Sequence, residues 1–196
     1  WQRQLGNTIS SPARAITIDS MDNVYAVGNL STPTQTATFI IKYNDSGVLQ
    51  WQKYLYISED ALTSTASGLT IDTSNNLYIL GTTQNIISPW DTRFLIAKYN
   101  SSGTLQWQRA LLGCGESKQI IVKSSNIYIT GSADGFTGAI AKYNDSGVFQ
   151  WERIIDDGGG SFNMLSDVAV DSANDVITVG SSSVSLEKAV IVKYNS

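Results

Sequence analysis

"KYNDSGVLQW", Lys42 to Trp51, returns as "KYNSSGTLQW" from Lys98 to Trp107 and as "KYNDSGVFQW" from Lys142 to Trp151, and opens again as "KYNS" at Lys193 to Ser196. Each copy runs from apolar sequence through a polar corner containing Gly47, Gly103 or Gly147 into a second apolar run. A glycine at such a corner adopts a left-handed backbone without steric cost, so the stretch reads as a β-hairpin. In "LQWQKYL" the two-residue strand period puts Leu49, Trp51 and Leu55 on one face and Gln50 and Gln52 on the other. The recurring Trp is therefore expected to pack between neighbouring sheets.

Working outward from the Trp, the chain divides into repeats 1–50, 51–106, 107–150 and 151–196, which account for all 196 residues as a single domain. Before each decapeptide stands a pair of β-branched runs joined by an Asp, Asn or Ser corner: "AITIDSMDNVYAVG" (Ala15 to Gly28), "GLTIDTSNNLYILG" (Gly68 to Gly81), "QIIVKSSNIYITG" (Gln119 to Gly131) and "DVAVDSANDVITVG" (Asp167 to Gly180). Every unit then holds four short strands with no helical periodicity. That pattern predicts an all-β β-propeller of four four-stranded antiparallel blades. "WQRQL" at Trp1 to Leu5 is fourth-strand sequence, and the last unit ends on third-strand sequence. The expectation is that the N-terminal strand pairs beside Lys188 to Asn195 and closes the last blade. A segment of a larger ring, or two chains sharing an eight-bladed one, would have the same ends.

Composition narrows the functions. With 13 Lys and Arg against 17 Asp and Glu the net charge is -4, which supplies no field for nucleic acid or anionic lipid. No apolar run reaches the length of a membrane helix. The chain has no His and one Cys, which removes Cys/His zinc sites and His-activated nucleophiles. Asp19, Asp72 and Asp171 at the hairpin corners are explained by side chains bonding their own backbone, without calcium, and no cofactor or metal is expected.

The units resemble the β-propeller repeats of secreted bacterial proteins and of bacteriophage tail and virion proteins. The likeness rests on Asp19, Asn23, Tyr25 and Gly28; Asp72, Asn76, Tyr78 and Gly81; Asn126, Tyr128 and Gly131; Asp171, Asn174 and Gly180; and the four "KYN" triplets. Asp22, Asn75 and Asn174 stand where that pattern has a turn Gly, and Lys123 replaces the corner Asp in the third unit. The resemblance implies a virion or extracellular location and a binding or scaffolding role.

Chain direction puts the near-identical corners on one side of the ring and the variable connections on the other. On the variable side, Trp90 with Asp91 and Arg93, together with Phe136 and Phe162, are the candidate binding residues. The reading is a non-enzymatic binding or structural module whose partners are protein subunits or a surface glycan, within a larger assembly. The alternative is a carbohydrate-active enzyme using the loop acids Glu59, Asp60, Asp91, Asp134, Asp156, Asp157 and Glu187.

Overall fold

The structure, a computed structural model, describes residues 1–4, 12–31, 36–55, 61–85, 92–111, 114–133, 137–155, 164–182 and 188–195. These residues form fifteen strands in four successive antiparallel modules. The first holds β1 (Ala13–Ile18), β2 (Val24–Ser31), β3 (Thr36–Tyr43) and β4 (Leu49–Leu55). The second holds β5 (Ala61–Ile71), β6 (Leu77–Asn85), β7 (Thr92–Tyr99) and β8 (Leu105–Leu111). The third holds β9 (Cys114–Lys123), β10 (Asn126–Ala133), β11 (Thr137–Asn144) and β12 (Phe149–Ile155), and the fourth β13 (Met164–Val170), β14 (Val176–Ser182) and β15 (Lys188–Tyr194). Each module is a meander, and β1, β5, β9 and β13 stand side by side as the inner strands.

Three apolar clusters hold the modules face to face. Tyr25, Val27 and Ile40 of the first module meet Leu69, Leu77 and Ile79 of the second. Tyr78, Leu80 and Ile96 then meet Ile120, Ile127 and Ile129, and Tyr128 and Ile140 meet Val168, Val170 and Val176. Every central sheet thus buries both faces, which is why its strands are apolar throughout rather than alternating.

The repeated decapeptide has two jobs. Asn44, Asn100 and Asn144 each accept the backbone N–H four residues on through Oδ1, which fixes the corner. Gly47, Gly103 and Gly147 have φ of 73°, 78° and 75°, and each lies against the indole of a Trp from earlier in the chain: Trp1, Trp51 and Trp107. Those indoles donate through Nε1 to Asp45 O at 2.8 Å, Ser101 O at 3.3 Å and Asp145 O at 3.1 Å. Corner and Trp are two halves of one joint. Replacing Gly103 by Ala is expected to cost about 1 to 2 kcal/mol, because an L-residue is forced left-handed beside Trp51. Urea unfolding measures it, and an unchanged midpoint would refute this account of the corner.

The Lys of "KYN" sits in register between a Tyr and a Trp: Tyr25, Lys42 and Trp51; Tyr78, Lys98 and Trp107; Tyr128, Lys142 and Trp151. Its ammonium lies over the Tyr ring, and Lys42 and Lys98 also donate to Ser101 O and Asp145 O of the next module.

Two expectations are corrected. The ring is not closed by its N-terminal strand: among the described residues β15 pairs with β14 alone, and β13 makes no contact with β1 comparable to those between the other inner strands. Trp1 to Gln4 form no strand, although the Trp1 indole is seated beside Gly47 as Trp51 and Trp107 are beside Gly103 and Gly147, and Arg3 Nε donates to Gly47 O at 2.8 Å. The fourth module accordingly shows three strands among the described residues, not four.

Candidate functional site

The inner strands begin earlier than their apolar sequence suggests. Residues 61–67 and 114–117 read as connections, yet they extend β5 and β9. The extension is possible because the second strand of each module has a Gly where the inner strand bulges: register shifts at Ala66/Gly68 beside Gly81 and next to Gly131. A Cβ at Gly131 would overlap the Glu116 carbonyl oxygen, so only Gly lets the strands approach there. Beyond the bulge both strands carry Ser, Thr and charged residues, and these project at the end of the fold opposite the repeated corners.

They form a polar cleft of about 640 Å³ spanning the first three modules. Its floor is a hydroxyl cluster: Ser67 Oγ lies 2.7 Å and Thr82 Oγ1 2.8 Å from Ser117 Oγ, and Ser117 N donates to Thr82 Oγ1 at 3.2 Å. Asn29 is buried and accepts the Ala66 N–H at 2.8 Å through Oδ1, tying the first module to the second under the cleft. Glu116 N donates to Ser132 Oγ at 3.0 Å, which holds the start of β9. The Glu116 carboxylate is exposed, with Oε2 2.7 Å from Lys118 Nζ. Arg14, Gln84 and Thr92 complete the lining.

A second cavity, of about 510 Å³, lies at the opposite end between the second and third modules and includes Asp72, Asn76, Tyr78 and Lys123. Of its two acids, Asp145 pairs with Lys98 at 3.7 Å and Asp72 is committed to the corner. Asp72 Oδ1 accepts Ser74 N and Asn76 N, and its Oδ2 accepts Asn76 Nδ2 and Tyr78 OH. Lys123 reaches across to Val170 O at 2.9 Å. Among the described residues no group of three or more His, Cys, Asp or Glu is placed to hold a metal ion.

Of the residues singled out from sequence, Trp90, Asp91, Phe136 and Phe162 lie outside the described residues. So do the loop acids Glu59, Asp60, Asp134, Asp156, Asp157 and Glu187. Arg93 is described: it is half-buried on β7, opposite Thr83, and does not line the cleft. The structure instead brings together Glu116, Lys118, Ser67, Thr82 and Ser117. The available signal was the polar residue directly after each second-strand Gly, Asn29, Thr82 and Ser132, where an apolar strand turns hydrophilic without a turn residue.

No family model matches the chain, and no curated protein matches it by sequence. Solved structures do share its arrangement. Bacillus subtilis levansucrase is 7% identical with a TM-score of 0.55, over 96% of this chain and 68% of the levansucrase chain. A levansucrase variant in complex with oligosaccharides gives 0.54 at 8% identity over the same shares. A polysaccharide lyase gives 0.52 at 10% identity, over 94% of this chain and 45% of the lyase. The fold is all-β, of the β-propeller kind.

The chain spans between about half and two-thirds of the length of these neighbours. The expectation of a non-enzymatic binding or structural module does not stand beside them, because levansucrase and the polysaccharide lyase, which share this fold, are enzymes of carbohydrate chemistry. At such identities the likeness itself is one of fold.

Proposed function

We propose that the four modules are propeller blades of a carbohydrate-active enzyme, and that an oligosaccharide or polysaccharide occupies the cleft above Ser67, Thr82 and Ser117. The observation that carries this reading is the lining: a saccharide-sized depression of about 640 Å³ furnished with hydroxyls, amides and three charged side chains. Its volume falls in the range of small-molecule sites. Sugar rings present closely spaced hydroxyls that both donate and accept, which matches a Ser/Thr/Asn/Gln surface. The carbohydrate enzymes that share the fold support the same class of substrate.

Cleaving or transferring a glycosyl unit, and eliminating across a sugar ring, all require a protein group that moves a proton at the reacting atoms. Glu116 is the acid described at the cleft, held by its ion pair to Lys118 and by its strand position beside Gly131. It is the proposed acid–base group.

A panel of oligosaccharides and polysaccharides, followed by reducing-end release and by the ultraviolet absorbance of unsaturated products, tests the reading. The expected result is turnover of at least one member, with kcat lowered about 100-fold or more by Glu116→Gln. Activity on none of them, or activity untouched by the substitution, would remove it.

A further inference from the structure

The inner strands of the four modules share a bulge at one place. Beside Gly28, Gly81, Gly131 and Gly180 of the second strands, one inner-strand residue is left without an opposite partner: Arg14, Ser67, Lys118 and Ser166 in turn. A bulge re-aims the side chain it leaves unpaired. Arg14, Ser67 and Lys118 all line the polar cleft. Because β5 stands between β1 and β9, the hydroxyl cluster at Ser67 has a guanidinium on one side, from the first module, and an ammonium on the other, from the third.

The two cations are not used up by the fold. Arg3, Arg109 and Arg153 each donate to a backbone carbonyl and lie over a Trp ring. Arg14 is exposed and has neither kind of contact among the described residues. Lys118 Nζ donates to Glu116 Oε2 at 2.7 Å, which occupies one of its three donors. The lining therefore holds two cations against one acid on a chain whose net charge is -4. A neutral sugar is served by the Ser, Thr and Asn groups and leaves the Arg14 fork to water. An anionic oxygen pair fits that planar fork in two parallel hydrogen bonds. Lys118, placed next to Glu116, also offsets the repulsion between that carboxylate and an anion on the ligand.

We propose that the cleft selects an acidic saccharide, one whose rings bear a carboxylate or a sulfate, and that Arg14 and Lys118 are the residues that read the charge. This rests on the reading of the cleft as a saccharide site and names the class of saccharide. Arg14 is the principal contact, and Lys118 shares its charge between the ligand and Glu116.

Calorimetric titration of the wild-type chain with matched pairs tests it. Fragments of polygalacturonate, alginate and hyaluronan, each against its methyl ester, form one arm. A sulfated galactan fragment against its desulfated form makes the other, and the arm that responds identifies the anion. At least one acidic form is expected to bind about 10-fold or more tighter than its neutral counterpart, with the ratio shrinking as NaCl is added. In Arg14→Gln that ratio should fall about 10-fold, and in Lys118→Gln it should fall by less, with the circular dichroism spectrum unchanged in both. Neutral forms that bind as well as acidic ones, or a preference that survives both substitutions, would overturn the inference and leave a saccharide in the cleft. Binding of no member would overturn both. A preference for the acidic form that depends on Arg14, in a chain that turns over none of these saccharides, would uphold the inference and remove the enzymatic reading.

Discussion

Trp107→Ala is expected to lower the unfolding free energy by about 3 to 5 kcal/mol, the range for removing a large aromatic from packed surroundings. Its indole lies in the joint between the second and third blades, against Gly147 and packed on the cluster that includes Tyr78 and Ile127. The ring meets the Tyr78 ring edge-on at 6.3 Å, and Nε1 donates to Asp145 O at 3.1 Å. Truncation empties the groove beside Gly147, and the glycine has no side chain to fill it. Trp107→Phe keeps most of the packing and loses the indole donor, so it should cost only about 1 kcal/mol. Urea midpoints for the two variants test the ordering. A loss below 1 kcal/mol for the alanine variant would mean that the Trp is a surface residue and the joint is held elsewhere.

Such a joint was legible in the sequence because it is periodic. Gly and Trp recur at fixed spacing, and a residue that must serve both a left-handed corner and a neighbouring indole leaves few substitutes at Gly47, Gly103 and Gly147. Asp22, Asn75 and Asn174, which replace the expected turn Gly, do adopt the left-handed region, with φ of 59°, 62° and 67°. The third unit reaches the same corner by another route: Lys123 is followed by Ser124 and Ser125, both left-handed.

Closure was not legible. Trp1 to Leu5 carry the pattern of an outer strand, and pattern alone does not say which third strand such a segment stands beside. The cleft was hidden for a different reason. Thr63, Thr65, Ser67, Glu116 and Ser117 stand in segments with the composition of a loop, and strand structure is imposed on them by pairing with β6 and β10 across the Gly bulges rather than by local preference. Trp90 belongs to a variable connection of the sequence, while Glu116, the acid that reaches the cleft, stands on a strand.

Asp72→Ala is expected to cost about 3 kcal/mol at pH 7, since four donors lose a charged acceptor and the Tyr78 hydroxyl is left without one in a half-buried setting. Burial alone would raise the Asp72 carboxyl, but the hydrogen bonds from Asn76, Ser74 and Tyr78 outweigh it and hold the group below the ordinary aspartate value of 3.8. Burial and the adjacent carboxylate push the Tyr78 phenol upward, so it remains a donor throughout. Asp19, with Asn23 and Tyr25, is lowered in the same way. A carboxyl depressed in the folded state stabilises the protein fully above its unfolded value. That stabilisation fades as pH falls through about 3.8 and on toward the folded value, and it is gone below both. The gap between wild type and Asp72→Ala should therefore be widest at neutral pH and narrow on acidification through this window. Asp72→Asn retains a carbonyl for Ser74 N and Asn76 N, so it should lose less than the alanine variant at pH 7. Unfolding midpoints at pH 7 and pH 3 read out both effects, and a gap that does not change between them would show that the corner depends on backbone shape rather than on the carboxylate.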